Sequence, residues 1–116
     1  MQVYILKESN SDSRVAASPD TVKKMIDWGL KVAIQDNAGL NSNFSNEDYV
    51  KSGATISNSI TDISKSDLIL KINKPNDDEI VLMNEGSILI ASLDPYNNNE
   101  TLNKLKDKGV TSFAME

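Results

Sequence analysis

Four of the five glycines each separate a polar or amphipathic stretch from a β-prone stretch. Glycine is favoured just past the end of a helix, because it adopts the left-handed backbone found there without a steric penalty. A chain that repeats this junction of helix end and strand start alternates α and β elements. The junctions are at Gly29, Gly53, Gly86 and Gly109.

Helix starts precede these glycines. Ser18-Pro19-Asp20 has the order of an N-cap, a proline in the first position and an acid in the first turn, and apolar residues follow at helical spacing. Ser45 predicts the start of a second helix, and Asp77-Asp78 predicts the first turn of a third. Residues 97–100 form a potential capping box for a last helix, with Leu102 and Leu105 on its apolar side.

Six β-prone segments lie between the helices. Two of them are almost continuously apolar, which is typical of parallel strands that are covered on both faces. We therefore expect a single α/β domain with a doubly wound, mostly parallel sheet of five or six strands, Rossmann-like or flavodoxin-like. Ligands of such sheets bind outside the carboxyl ends of the strands. The predicted strands are 2–6, 30–35, 54–57, 67–72, 87–92 and 110–115.

Composition excludes several classes of function. The chain has no Cys and no His, which removes disulfides, Cys/His metal sites, thiol nucleophiles and Ser-His-Asp triads. Acid–base chemistry would fall to carboxylates, Lys or Tyr. A net charge of −5 argues against binding to nucleic acid or to an anionic membrane. No apolar run is long enough to span a bilayer, so we expect a cytoplasmic protein without direct membrane insertion and without a metal.

No phosphate-binding fingerprint is present. The glycines are too widely spaced for G-x-G-x-x-G or a Walker A loop, so no cofactor-binding residue is assigned. The strand 67–72 is followed by Asn and Lys and not by the acidic cluster of a phosphorylated receiver domain. Two further segments are interpreted as structural: Trp28 as a packing residue and Asp94-Pro95-Tyr96 as a turn.

Arg14 is the only arginine and lies in a long polar loop after the first predicted strand. Its planar guanidinium suits a carboxylate or a phosphate, which makes Arg14 a candidate for holding an anionic group in a cleft. The alternative is an ion pair with Glu8 or Asp12 that stiffens the loop. Chemistry alone favours the alternative, because surface ion pairs are often incidental.

Lys71 lies between two apolar residues of the strand 67–72, and Asn73 follows at the end of the strand. A lysine is costly to bury without a partner. Lys71 therefore either reaches a partner at the end of the sheet or marks a site, and the residues leave both interpretations open.

Several segments match, in order, the pattern of a known family. Met1-Gln2-Val3-Tyr4-Ile5-Leu6-Lys7-Glu8 followed by Arg14-Val15-Ala16-Ala17-Ser18-Pro19 resembles G-x-P-[KR]-E … R-V-A-x-[ST]-P. This is the opening of the alanine dehydrogenase and NAD(P) transhydrogenase alpha-subunit family, and the resemblance covers essentially the whole chain. The other matching segments are Gly29-Leu30-Lys31-Val32, Asn37-Ala38-Gly39, Phe44-Ser45-Asn46-Glu47-Asp48-Tyr49, Ser52-Gly53-Ala54, Asp67-Leu68-Ile69-Leu70-Lys71-Ile72-Asn73-Lys74-Pro75 and Lys108-Gly109-Val110-Thr111-Ser112-Phe113-Ala114-Met115-Glu116.

The resemblance separates two branches. Alanine dehydrogenases use the arginine of the R-V-A motif to hold the substrate carboxylate. They use the second lysine of K-V-K-E-P and a histidine after the next strand for substrate and proton chemistry. Arg14 keeps the first position, whereas Asn73 stands at the lysine and Asp94 stands about where the histidine would be. At this segment the chain is similar to transhydrogenase alpha subunits, in which the pattern is I-L-K-V-N-x-P. The resemblance therefore favours the transhydrogenase branch, with Arg14, Lys71 and Asn73 as residues facing the cleft and no catalytic residue assigned.

The transhydrogenase branch implies a defined assembly. Its full alpha subunit binds NAD(H) between two doubly wound domains, works as a homodimer and exchanges hydride with NADP(H) on the beta subunit. A membrane part couples this transfer to proton translocation, so the assembled subunit is cytoplasmic and peripheral to the inner membrane. No metal and no nucleic acid takes part.

The resemblance also implies what this chain contains. Residues 1–116 are expected to be the amino-terminal portion of the first domain, with the NAD-binding Rossmann domain absent from the chain. The remainder of the alpha subunit is then a required partner, and the isolated chain is expected to be inactive. The alternatives are a fragment of an alanine dehydrogenase-like enzyme and a non-catalytic truncated remnant or binding module that folds but turns over nothing.

Overall fold

The computed structural model describes residues 1–9, 12–93 and 99–114. Strands and helices alternate through these ranges, as the glycine junctions predict. Short 3-10 helices at Leu40–Ser42 and Ile60–Lys65 were not predicted. The strands are β1 Gln2–Ile5, β2 Lys31–Gln35, β3 Thr55–Ser57, β4 Leu68–Leu70, β5 Ile88–Ala91 and β6 Thr111–Ala114, and the helices are α1 Pro19–Asp27, α2 Asn46–Lys51, α3 Asp77–Leu82 and α4 Asn99–Lys108.

The strands form one sheet in the order β3-β2-β1-β4-β5-β6, and every neighbouring pair is parallel. The chain runs outward from β1 to β3 and then, on the other side, from β4 to β6. The direction of winding therefore reverses between β1 and β4, which is the topological switch point of such a sheet. The predicted doubly wound parallel sheet is confirmed.

Local capping explains where the helices begin and end. The Ser18 hydroxyl accepts a hydrogen bond from the Thr21 N–H at the start of α1. At the other end of α1 the Leu30 N–H reaches the Met25 carbonyl while Gly29 adopts a φ of 91°, the arrangement of a Schellman motif. Ser45 caps α2, and α4 buries Leu105, as predicted.

The core lies on both faces of the sheet. Along β1, Val3 and Ile5 point to one face, and Tyr4 points to the other. We call them the α1 face, where Val22 of α1 packs, and the α4 face, where Leu105 of α4 packs. All of these side chains are buried, so β1 is covered on both sides.

Two predictions are wrong. Trp28 does not pack in the core, because it is the C-cap of α1, its side chain is 74% exposed, and Leu30 contacts the core in its place. Lys71 does not lie inside a strand, because β4 ends at Leu70, although the Lys71 N–H still donates to the Ile90 carbonyl at 3.1 Å. The potential capping box at 97–100 and the turn at Asp94 fall wholly or partly outside the described residues.

The longest helix in the described ranges, α4, has 10 residues and spans about 15 Å, half the thickness of a hydrocarbon core. No described helix is long and apolar enough to cross a membrane.

Candidate functional site

Two polar loops meet at the carboxyl ends of β1 and β4. Because these strands are neighbours at the switch point, the loops that follow them lie side by side. The loop after β1 contributes three charged residues, the loop after β4 contributes two polar ones, and α3 contributes a carboxylate. We call this group the switch-point cluster: Glu8, Asp12, Arg14, Lys71, Asn73 and Glu79.

Glu8 joins the two loops. Its buried carboxylate accepts the backbone N–H of Ile72 at 2.9 Å and that of Asn73 at 3.0 Å. It also accepts the Asn73 side-chain amide at 3.1 Å. Both N–H groups are partly buried and need a hydrogen-bond partner, which Glu8 provides where β4 ends. The backbone of the β4 loop is therefore held by a side chain from the β1 loop.

Lys71 lies between two buried carboxylates. Its Nζ is 3.6 Å from Glu79 Oε1 and 3.9 Å from Glu8 Oε1. Glu79 is placed by helix geometry, because its carboxylate accepts the Asn76 N–H at 2.9 Å in the capping box of α3. Lys71 thus has partners in the loop after β1 and on α3, which keep its charge compensated although it is buried.

Asp12 connects Asn73 to Arg14. The Asn73 amide donates to Asp12 at 2.7 Å, and the Arg14 guanidinium donates to the same carboxylate at 2.7 Å through Nη2 and at 2.9 Å through Nε. Hydrogen bonds from Arg14, and a further one from Asn73, hold the pKa of Asp12 well below its usual range. The ion pair between Arg14 and Asp12, which the alternative interpretation of Arg14 predicts, is therefore present. The Arg14 side chain is nevertheless 64% exposed, so solutes can still reach it.

An open cavity of about 420 Å³ adjoins the cluster on the α1 face. Arg14 and Lys71 line it together with Leu70, Ile90 and Ser92. Lys71 also borders a second cavity of about 430 Å³, which Glu8 and Glu79 line. The structure thus brings all three predicted residues into one cluster and places two of them at one cavity wall. Their role in binding stays a prediction.

The cluster does not fit the pyrophosphate of a dinucleotide. Three carboxylates and two cations leave one formal negative charge, which repels an anion. The loop from residue 6 to residue 18 has no glycine, and α1 begins only at Pro19, so no helix N-terminus directly follows β1. The described residues therefore do not form a phosphate cradle. No His/Cys/Asp/Glu group suited to a metal occurs among them either.

Sequence reasoning missed the carboxylates that organise the cluster. Glu8 was considered only as a partner of Arg14, and Glu79 was not considered at all. Glu8 contacts residues that are 64 and 65 positions away in the sequence, and no local pattern reveals such contacts. One signal was available: a lysine after an apolar strand requires a buried acid, and the N3 position of a capping box is where an acid is found.

Comparison with known proteins places the chain in a family. The family model described as alanine dehydrogenase/PNT, N-terminal domain, matches residues 4–116. The chain is 36% identical to the NAD(P) transhydrogenase subunit alpha of Haemophilus influenzae, over 91% of this chain and 20% of that protein. It is 34% identical to alanine dehydrogenase 1 of Staphylococcus aureus, over 100% of this chain and 31% of that protein.

A solved structure agrees. The transhydrogenase of Sinorhizobium meliloti superimposes with a TM-score of 0.96 at 37% identity, over 100% of this chain and 35% of that one. The chain thus spans between a fifth and about a third of the length of these three proteins. The resemblance read from the sequence motifs is confirmed. The chain belongs to the alanine dehydrogenase/PNT family, and it matches the family's N-terminal domain.

Proposed function

We propose that the chain acts within the alpha subunit of a proton-translocating NAD(P) transhydrogenase, where it forms one wall of the cleft that holds NAD(H). Residues 1–116 are then the amino-terminal portion of the first domain. The phosphates of NAD(H) are held by a separate Rossmann domain, outside this chain, because the switch-point cluster does not suit them. The chain alone is inactive in this proposal.

The observation that carries the choice of reaction is the state of Asn73. Its amide donates to both Glu8 and Asp12, so the side chain is fixed within the switch-point cluster, and an amide carries no proton that titrates near neutral pH. Oxidation of an amino acid requires positioned groups that accept and donate protons. Hydride transfer between two nicotinamides requires only that they be held together and that water be excluded. A switch-point cluster that has Asn73 at this position suits the second reaction.

The proposal includes partners and a location. The alpha subunit pairs as a homodimer and docks against a beta subunit that carries NADP(H), with the coupled proton movement in a membrane part. The assembled subunit is cytoplasmic and peripheral to the inner membrane. The name of the Haemophilus influenzae relative, a subunit alpha, supports assembly with further subunits.

A reconstitution tests the proposed reaction. The chain is joined to the remainder of the Sinorhizobium meliloti transhydrogenase, combined with a beta subunit, and assayed for reduction of thio-NADP⁺ by NADH. We expect transhydrogenation, and we expect no NADH formation from L-alanine and NAD⁺. The matched variant Asn73→Ala should lower the first activity, because both carboxylates lose a donor.

A second candidate is amino-acid oxidation. It is favoured by the 34% identity to an alanine dehydrogenase and by the exposed Arg14 guanidinium beside an open cavity, which could hold a carboxylate. Alanine-dependent reduction of NAD⁺ by the joined protein would support it and would contradict the transhydrogenase proposal. A folded assembly without either activity would favour the non-catalytic remnant.

A further inference from the structure

The guanidinium of Arg14 is exposed at the wall of a cavity, yet one of its hydrogen-bonding edges is already occupied. Arg14 donates to the Asp12 carboxylate through Nε at 2.9 Å and through Nη2 at 2.7 Å. This side-on contact at two points is the geometry in which a guanidinium binds a carboxylate of any origin. Asp12 therefore stands where the carboxylate of a ligand would bind at this edge of Arg14.

Asp12 is held by more than the Arg14 side chain. Its carboxylate also accepts the backbone N–H of Arg14 at 2.9 Å and the Asn73 amide at 2.7 Å. Only 14% of the Asp12 side chain is exposed, against 64% of the Arg14 side chain. Four N–H donors from two loops thus fix the carboxylate, although the guanidinium itself is open to solvent.

A carboxylate in solution competes poorly with Asp12. Asp12 and Arg14 are two residues apart, so the two groups meet at an effective concentration above the roughly millimolar value of short flexible linkers. The pair is neutral, which removes the long-range attraction between Arg14 and an anion. Lys71, the other cation that the structure places at this cavity, is compensated by the carboxylates 3.6 Å and 3.9 Å from its Nζ.

The remaining wall of the cavity suits a short apolar chain. Leu70 and Ile90 line it beside Arg14, and Ser92 adds a hydroxyl. Without Asp12, the switch-point cluster would have two carboxylates and two cations, so the formal charge that repels anions would be gone. A small molecule with a carboxylate and an aliphatic tail would then match both the guanidinium and the apolar wall.

We propose that Asp12 is a specificity-determining residue, which excludes small aliphatic carboxylates from this cavity by occupying the edge of Arg14 that would bind them. An amino acid or an oxo acid then finds no anchor at Arg14, whereas uncharged groups are still admitted. The exclusion is a property of the chain itself. The proposal therefore does not rest on which reaction the assembly performs, and its test measures binding alone.

Titration of the chain with butyrate at neutral pH, followed by ¹H–¹⁵N NMR spectra, tests the proposal. We expect Asp12→Ala to bind butyrate at least about tenfold more tightly than the wild type, because the two donors of Arg14 are released. The shifts should include the backbone amides of Arg14 and Ala16, which line the cavity. Butyramide, which has a similar shape and no charge, should not distinguish the variant from the wild type.

Glu85→Ala is the matched control for charge. It changes the net charge by the same amount, but Glu85 is exposed and precedes β5, at the amino ends of the strands and away from the cluster. This variant should bind butyrate as weakly as the wild type. A gain equal to that of Asp12→Ala would overturn the proposal, since the net charge alone would then explain the effect.

A double variant locates the site. Asp12→Ala combined with Arg14→Ala should lose the gain in affinity, because the carboxylate of butyrate has no anchor. If Asp12→Ala does not fold, Asp12→Asn replaces it, since the amide keeps the shape of the side chain and removes its charge; it too should bind butyrate more tightly than the wild type. A wild type that binds butyrate as tightly as these variants, or a gain that persists without Arg14, would overturn the proposal.

Discussion

Glu8 is the residue on which the switch-point cluster depends most directly. It accepts two backbone N–H groups and one side-chain amide, and it faces Lys71 in a buried environment. The sequence predicted Arg14, Lys71 and Asn73 as polar residues near a strand end, because local position suffices for that. It did not predict Glu8 as their centre, because its partners come from distant parts of the chain.

The first prediction concerns the loss of Glu8. Glu8→Ala should lower the free energy of unfolding by about 3 kcal/mol, because two partly buried N–H groups lose their acceptor and the buried Lys71 keeps only Glu79. Urea unfolding followed by circular dichroism measures the change. The control Glu85→Ala removes an exposed acid and should change stability by less than about 0.5 kcal/mol. Equal losses in the two variants would show that the cluster does not stabilise the fold.

Replacing Arg14, unlike replacing Glu8, is expected to have little effect on stability. Its exposed guanidinium contacts Asp12 at the surface, so Arg14→Ala should leave the urea midpoint nearly unchanged at neutral pH. A large loss of stability would identify Arg14 as a structural residue and not as a residue facing the cleft.

Tyr49 leads to a prediction about pH. Burial raises the pKa of its phenol to about 12, and the hydroxyl donates to the Ala17 carbonyl at 2.8 Å. The unfolded chain loses this proton near pH 10. Because the native pKa is the higher one, the stability from this group is complete below about pH 10 and is lost as the pH rises to about 12.

Tyr49→Phe should therefore be less sensitive to alkali than the wild type, although it is less stable by about 1 kcal/mol at neutral pH through the lost hydrogen bond. Urea midpoints at pH 8 and pH 11 measure both effects. Tyr4, whose pKa burial also raises, is present in both proteins and cancels in the comparison. The same alkaline loss in wild type and variant would contradict the assignment.

The elements of the fold were predicted well wherever a local rule decides them. Ser18 and Ser45 start helices, Gly29 ends one, and the six strands lie within two residues of their predicted bounds at either end. The 3-10 helix at Ile60–Lys65 was missed, because it has no apolar period long enough to recognise. Trp28, next to the helix end, was interpreted as a packing residue, whereas the Schellman motif turns the chain so that Leu30 contacts the core.

A glycine in the turn after β2 is predicted to be constrained by packing. A Cβ built at Gly39 would lie 2.6 Å from Cε2 and 2.7 Å from the hydroxyl of the buried Tyr49. Gly39→Ala should therefore cost about 1–3 kcal/mol. At Gly29 the backbone has a φ of 91° but a Cβ would meet no atom within 4 Å, so Gly29→Ala should cost only about 1 kcal/mol.

Thermal unfolding of the two variants ranks these effects. A larger loss for Gly29→Ala than for Gly39→Ala would mean that the left-handed backbone, and not the contact with Tyr49, sets the cost at these positions.

For the molecule as a whole, the described residues build a six-stranded parallel sheet with a polar cluster at its switch point. The winding of the sheet could be predicted from the order of elements, since alternation of helix and strand leaves few topologies. The assembly of the switch-point cluster could not be predicted, because Glu8 contacts residues that are 64 and 65 positions away in the sequence.

The isolated chain should therefore bind NADH only weakly. We expect no saturable binding below about 1 mM, because the described residues form no phosphate cradle. Isothermal titration calorimetry is the suitable measurement. Trp28 fluorescence is not a suitable measurement. Trp28 precedes β2, so it lies at the amino ends of the strands, whereas the switch-point cluster lies at their carboxyl ends. Submillimolar saturation would contradict the assignment of the coenzyme contacts to other parts of the subunit.

The central position of β1 has a consequence for synthesis on the ribosome. This strand is made before the other five strands, yet its partner β4 is not made until residues 68–70. A nascent chain that ends before residue 68 can pair β1 with β2. The other backbone edge of β1, to which β4 will bind, is still open. Stalled chains of intermediate length should consequently recruit chaperones that bind extended apolar segments, and release from them should coincide with the completion of β4.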